Sequence, residues 1–116
     1  MSQMADKLMN LVKEDVAPKE FSSGSKGFFA NGKITVEGRR YQAQARAVLI
    51  GSKDDPKAKV QATAEEITAA LASMIQDELD ETRVFKSGNT GAFAQDKVKA
   101  HDQRFQASVQ AVLLDA

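Results

Sequence analysis

The stretch FSSGSKGFFANGKITVEGRRYQAQARAVLI, residues 21–50, is repeated further along the chain as FKSGNTGAFAQDKVKAHDQRFQASVQAVLL, residues 85–114. The two stretches align without a gap, and each residue of the second stands 64 positions after its counterpart. The matches include phenylalanines, glycines, lysines, arginines and glutamines from one end of the block to the other. So many identities in one ungapped block indicate an internal duplication, in which one structural unit is built twice.

An amphipathic helical pattern precedes each copy. In both places apolar residues recur at i, i+3, i+4 and i+8, a spacing that lines one face of a helix. The pattern predicts a first helix from about Gln3 to about Val16, ended by Pro18 because the residue before a proline avoids helical geometry. It predicts a second helix from about Ala64 to about Glu81, opened by a capping box of Thr63 and Glu66.

Each copy also carries the pattern of a β-hairpin, two strands joined by a tight turn. The first predicted turn is Glu37-Gly38, where glycine supplies a positive φ, and the second is His101-Asp102, which has no glycine. The predicted strands are Gly27–Val36 and Arg39–Ile50 in the first copy, and Ala92–Ala100 and Gln103–Leu114 in the second.

These elements predict an α+β fold made by tandem duplication of an αββ unit. We expect a four-stranded, mainly antiparallel sheet with two helices packed on one face and a pseudo-two-fold axis. A chain of 116 residues, 42% of them hydrophobic, has the length of one domain. The expected domain therefore covers 1–116, with repeats at 1–53 and 60–116 joined by a short charged linker.

Composition excludes several classes of site and partner. The chain has no cysteine, so it cannot form disulfides, thiolate metal centres or a cysteine nucleophile. The single histidine, His101, stands in a predicted turn with no nucleophile to activate, and we expect no enzyme activity, metal or cofactor. No stretch approaches the roughly 18 apolar residues that suggest a membrane span, so we expect a cytoplasmic protein without a membrane partner.

Alternation along the strands assigns each side chain to a face of the sheet, because successive residues point to opposite sides. The set that contains Ala43, Ala45 and Ala47, with its counterparts in the second copy, is apolar and is expected to face the helices. The opposite set keeps one phenylalanine, one lysine, one arginine and one glutamine in both copies. Maintenance of the fold explains the retained core residues better than it explains this outward set, which suggests that the outward set has a function.

The outward residues are candidates for binding single-stranded nucleic acid. Aromatic rings stack bases for roughly 1–3 kcal/mol each, lysine and arginine contact phosphates, and glutamine offers an amide to a base edge. The candidate residues are Phe29, Lys33, Arg40, Gln42 and Arg46 in the first copy and Phe93, Lys97, Arg104 and Gln106 in the second. Lys26 and Lys86 beside the glycine loops are secondary phosphate candidates, since backbone amides in such loops can cradle an anion.

The distribution of charge favours the same assignment. The chain has a formal net charge of +0, but residues 19–60 hold nine basic and four acidic side chains. Residues 61–84 hold six acidic side chains and one basic one. If the acidic second helix lies behind the sheet, the open face of the sheet keeps a positive potential.

The same outward residues also fit a second function. Two phenylalanines and the nearby aliphatic side chains could pack against another copy of the chain, with the cations and amides at the rim of the interface. The sequence therefore leaves two hypotheses open: a non-catalytic binder of single-stranded DNA or RNA, and a homo-oligomeric interaction module. They are compatible, and we expect a homo-oligomer, a dimer or higher.

Overall fold

The computed structural model describes residues 3–22, 24–52, 57 and 59–114. One helix followed by three strands occurs twice along the chain. The elements are α1 (Gln3–Asp15), β1 (Ala17–Glu20), β2 (Lys26–Val36), β3 (Arg39–Leu49), α2 (Ala64–Glu78), β4 (Asp80–Val84), β5 (Thr90–Ala100) and β6 (Gln103–Leu113). Residues 53–56 and 58, which include Lys53 at the end of the first expected repeat and most of the linker, lie outside the described residues.

The sheet has six strands in the order β1-β2-β3-β6-β5-β4, and every neighbouring pair is antiparallel. The α+β class fits, but the predicted four-stranded sheet is wrong. The two strands that the prediction missed, β1 and β4, are short edge strands whose residues are all exposed. They carry no alternation of apolar and polar residues, and β1 contains Pro18, a residue that sheets tolerate only at their edges.

Strand β4 also explains why the second helix ends early. The apolar spacing predicted helix to about Glu81, whereas α2 ends at Glu78 and Leu79 adopts extended geometry with φ −67° and ψ 119°. The start of α2 is as predicted: the Glu66 N–H donates to Thr63 Oγ1, and the Thr63 N–H donates to Glu66 Oε1. Glu66 Oε2 also lies 3.3 Å from His101 Nδ1, which connects the helix start to the β5–β6 turn.

The two repeats meet at the centre of the sheet, where β3 pairs with β6. Ala45 stands opposite Val109, which is its own counterpart 64 positions later. A pseudo-two-fold axis therefore passes through this residue pair, roughly perpendicular to the sheet. The axis places every feature of one repeat at a related point on the same face in the other.

Both helices pack on one side of the sheet. Helix α1 contacts β2, helix α2 contacts β5, and the two helices contact each other. The predicted core set is buried, from Ala43 to Ala47 on β3 and from Phe105 to Ala111 at alternate positions of β6. Neither helix in the described part of the chain has the length and apolar character needed to cross a bilayer.

Both tight turns adopt left-handed backbone geometry at their two central residues. The φ angles are 52° at Glu37 and 79° at Gly38, and 50° at His101 and 59° at Asp102. Such angles suit the two-residue turn that matches strand twist, in which Asn-Gly is the preferred pair. The second turn therefore holds two side-chain-bearing residues in a conformation that favours glycine.

Candidate nucleic-acid interface on the open face of the sheet

Most of the predicted site residues lie on the helix-free side of the sheet, called the open face below. Residues directly opposite in an antiparallel pair point to the same side, so the strand register fixes each position. The register is continuous between Phe29 and Lys33, so no bulge reverses the alternation. The open-face pairs are Phe29 with Arg46, Lys33 with Gln42, Arg40 with Thr35, Phe93 with Gln110, Lys97 with Gln106 and Arg104 with Lys99.

The two secondary phosphate candidates, Lys26 and Lys86, do not lie with the open-face residues. Lys26 has the same alternation as buried Phe28, so it lies on the helix side of the sheet, and its N–H donates to Ser52 Oγ. Lys86 is exposed in the turn between β4 and β5. Ser23 of the first glycine loop lies outside the described residues. The glycine loops join two strands rather than a helix and a strand, with Gly24 and Gly88 at φ 93° and 90°.

An aromatic ring with a cation over it lies near each outer edge of the open face. We call Lys19, Phe21 and Phe29 the first edge cluster, and Arg83, Phe85 and Phe93 the second. The Lys19 Nζ lies 4.5 Å from the centre of the Phe29 ring and 5.7 Å from that of Phe21. In the second cluster, the Arg83 Cζ lies 4.7 Å from the Phe93 ring, which meets Phe85 edge to face at 6.4 Å.

Glycines allow the strands to pack closely beside these clusters. A Cβ at Gly27 would overlap the Ala47 carbonyl oxygen, and a Cβ at Gly91 would overlap the Ala111 carbonyl oxygen. The same Cβ at Gly91 would also lie 3.2 Å from the Phe85 ring. The two glycines are counterparts in the duplication, so their retention has a structural cause.

The rings of Phe29 and Phe93 are too far apart to stack neighbouring bases. They are separated by three strand spacings and two residues along a strand, about 16 Å in total. Stacked nucleotides in a duplex advance by about 3.4 Å per step. One continuous strand that reached both rings would place bases several nucleotides apart on them and cross the sheet between them.

Positive charge dominates the open face. Among the described strand residues that pair with a neighbouring strand in regular register, eight cations and one carboxylate lie on it. The cations are Lys19, Lys33, Arg40, Arg46, Arg83, Lys97, Lys99 and Arg104, and the carboxylate is Asp80. Helix α2, on the other side, carries four acidic residues and no basic one.

Four of these eight cations have no ion-pair partner among the described residues. In the part of the chain that the structure describes, no carboxylate lies within ion-pair distance of Lys33, Arg46, Lys97 or Arg104. Asp80 is satisfied within its own strand: it accepts hydrogen bonds from the Thr82 N–H at 2.9 Å and the Thr82 hydroxyl at 2.8 Å. These bonds, with Arg83 nearby, hold the pKa of Asp80 below its ordinary value.

The glutamine that both copies of the duplication retain, Gln42 in the first and Gln106 in the second, has a structural role. Gln42 Nε2 donates to the Gly32 carbonyl at 3.2 Å, and Gln106 Nε2 donates to the Asp96 carbonyl at 3.4 Å. These bonds join neighbouring strands at equivalent points of the two repeats, so they explain the retention of both residues without a ligand. Between the clusters, the centre of the face instead presents Gln44 and Gln110, which stand opposite each other.

The predicted site omitted the edge-cluster cations. Lys19 and Arg83 are themselves 64 positions apart, and so are Phe21 and Phe85. Extending the aligned block two residues toward the N-terminus would have revealed a basic residue retained in both copies. The signal was missed because β1 and β4 were not recognised as strands, and without a strand the two residues had no assigned face.

The comparisons with known proteins find no matching family model, no similar curated protein and no similar solved structure. No group of three or more metal-ligating side chains occurs among the residues that the structure describes. The geometry and charge of the open face are therefore the features of this chain that indicate a function.

Proposed function

We propose that the open face binds single-stranded DNA or RNA with little sequence preference. One observation carries the proposal: two aromatic rings, each beside a cation, lie at symmetry-related points of a face on which the described, regularly paired strand residues include eight cations and one carboxylate. Single-stranded nucleic acid offers what such a face lacks, a polyanionic backbone and flat bases. We also propose that the protein binds its nucleic acid in the cytoplasm.

The cation over each ring does not prevent stacking. A cation–π contact at an exposed site stabilises by about 0.5–1 kcal/mol, whereas a base stacked on an aromatic ring contributes about 1–3 kcal/mol. Lys19 is exposed, and a lysine ammonium is carried on a flexible four-carbon stem, so it can move from the ring of Phe29 to a phosphate. Replacement of the cation by a base on the ring is therefore favourable, and the displaced ammonium still contributes to binding through the phosphate.

Charge argues against a face-to-face dimer that covers the whole open face. Such a dimer would bring eight cations of one copy against eight of the other with few carboxylates between them. Like charges placed opposite each other in an interface are unfavourable by several kcal/mol. A polyanion is therefore the better-matched occupant.

Fluorescence anisotropy with a labelled oligonucleotide of about 20 nucleotides tests the proposal. At low salt we expect saturable binding to oligonucleotides of unrelated sequence, and weaker binding to the corresponding duplex because its bases cannot reach the rings. Failure to bind any single strand at low salt would contradict the proposal. Equal affinity for duplex and single strand would show that base stacking on the rings does not contribute to binding.

A second candidate is self-association through the ends of the open face. Ile50 and Leu114, counterparts in the duplication, are large hydrophobic residues with 43% and 44% of their surface exposed. They follow the ends of β3 and β6, so a contact through them would leave the edge clusters open. Light scattering of the Ile50→Ser/Leu114→Ser variant tests this candidate: an oligomer should dissociate, while oligonucleotide binding persists.

A further inference from the structure

The outer edge of β2 is only partly covered by its neighbour. Strand β1 pairs with Lys26–Phe29, and no other strand among the described residues pairs with the outer side of Ala30–Val36. The Phe21 N–H donates to the Ser25 carbonyl in the β1–β2 turn, which sets the hydrogen-bonding alternation along β2. The backbone N–H and C=O groups of Asn31, Lys33 and Thr35 therefore point outward, where they can accept another strand.

A groove of about 530 Å³ runs along this edge between β2 and helix α1. Its apolar floor is formed by Leu11 and Ile34. On the helix side it is lined by the exposed carboxylates of Glu14 and Asp15, at the C-terminal end of α1, and by Lys7 nearer the N-terminal end of the helix. The carbonyl groups at the C-terminal end of a helix add negative potential, so the part of the groove beside Glu14 and Asp15 favours a positive side chain.

The second repeat has an equivalent groove of about 260 Å³, but its strand edge is capped. Asp96 stands where the first repeat has Gly32, and its carboxylate accepts a hydrogen bond of 2.8 Å from the Lys97 N–H. That N–H is one of the groups that would otherwise bind an added strand. Gly32 has no side chain to cap the Lys33 N–H, so the two repeats differ at this position: the N–H is capped in the second repeat and uncapped in the first.

We propose that the outer edge of β2 is a docking site for an extended segment of a partner protein, which adds to the sheet as a seventh strand. Strand addition gives affinity through main-chain hydrogen bonds and specificity through alternate side chains. In this groove the alternate side chains that face α1 are basic or apolar, to meet Glu14, Asp15 and the floor. Those that face the other way are acidic or neutral, because they lie beside Lys33.

A second copy of this chain fits the edge poorly. Antiparallel pairing of two β2 edges would bring Glu14 and Asp15 of both copies to the same side of the joined sheet, where they repel. The β5 edge of another copy has the opposite charge pattern to the one required, with Asp96 on the helix side and Lys97 and Lys99 on the open face. The charges therefore favour a different chain.

A pair of synthetic peptides tests the proposal with the intact protein. The matched peptide, Lys-Glu-Val-Glu-Lys-Thr, places both lysines and the valine toward α1; the control, Glu-Lys-Val-Lys-Glu-Thr, exchanges the charges. Amide chemical shifts measured by NMR report binding to each. We expect the matched peptide to bind at least about fivefold more tightly and to perturb Lys33 and Thr35, with Lys97 and Lys99 unchanged. Equal binding of both peptides, or no binding of the matched one up to about 1 mM, would overturn the proposal.

Substitutions separate strand addition from general attraction. Thr35→Pro removes an outward N–H that makes no internal bond, so the sheet should keep its fold while the peptide binds about fivefold or more weakly. Thr35→Val keeps the N–H and should bind as the parent does. Gly32→Asp copies the capped edge of the second repeat and should weaken binding similarly. Unchanged affinity in both Thr35→Pro and Gly32→Asp would show that no strand is added there.

Discussion

Among single residues, Phe28 and Phe29 give the most direct test of which face of the sheet binds. They are neighbours on β2, but Phe28 is 2% exposed in the core whereas Phe29 is half-buried on the open face. We predict that Phe29→Leu weakens oligonucleotide binding about fivefold or more, because a stacking ring is lost. Anisotropy titration measures the change.

The same substitution at the neighbouring position is the control. Phe28→Leu should lower the free energy of unfolding by about 1–2 kcal/mol, measured in urea, and leave the affinity of the folded protein unchanged. If Phe28→Leu weakened binding and Phe29→Leu did not, the two faces would have been assigned the wrong way round.

A second prediction for a single residue concerns the close packing at Gly27. Gly27→Ala should destabilise the fold by about 2–4 kcal/mol, because the new methyl group would overlap the Ala47 carbonyl oxygen and the strands must separate. Gly32→Ala is the matched control, since its methyl group would meet only the movable ends of side chains, the nearer being Leu11 Cδ1 at 3.0 Å. Chemical denaturation compares the two; equal loss would contradict this explanation of the retained glycine.

Among the elements, the β5–β6 turn carries a conformational cost that substitution can remove. His101 and Asp102 both have positive φ, and Asn-Gly is the pair best suited to that geometry. We predict that the double variant His101→Asn/Asp102→Gly raises the free energy of unfolding by about 1 kcal/mol. The exposed contact between His101 and Glu66 should subtract little. A lower unfolding midpoint in urea would show that this contact matters more than the turn geometry.

The start of helix α2 makes stability depend on pH. The Thr63 backbone N–H, more than His101, holds the pKa of Glu66 below its ordinary value. The stabilisation is therefore present above the pKa of the unfolded state and is lost as the pH falls through the lower pKa of the folded state. We predict that thermal unfolding midpoints fall below about pH 4, and that Glu66→Gln reduces this fall. An unchanged pH profile in the variant would contradict the role of the capping box.

How well the sequence predicted each element depended on whether its residues alternate. The four long strands and the start of α2 were predicted within a few residues, because one face of each is buried and the turn and cap residues are recognisable. Strands β1 and β4 have no buried residue to reveal them, and they exist because a neighbour offers free backbone groups. The feature that makes these segments strands therefore lies in the neighbouring strands, and not in their own sequences, APKE for β1 and DETRV for β4.

The whole molecule is a neutral chain whose sheet carries an excess of positive charge on its open face. The duplication made this possible, because the pseudo-two-fold axis through Ala45 and Val109 places both sets of outward cations on one face. Alternation along β2, β3, β5 and β6 was enough to predict Phe29, Lys33 and their counterparts on that face. The edge-cluster cations Lys19 and Arg83 depended on the missed strands, and the strand contacts made by Gln42 could not be read from a pattern.

The salt dependence of oligonucleotide affinity tests the central claim most directly. If four to eight open-face cations neutralise phosphates, the logarithm of the binding constant should fall against the logarithm of salt with a slope of about −3 to −6. Lys33→Gln with Lys97→Gln should make that slope shallower by about 1.4, whereas Lys7→Gln with Lys13→Gln, the same loss of charge on helix α1, should leave it unchanged. Equal effects of the two pairs, or no binding even at low salt, would contradict the account.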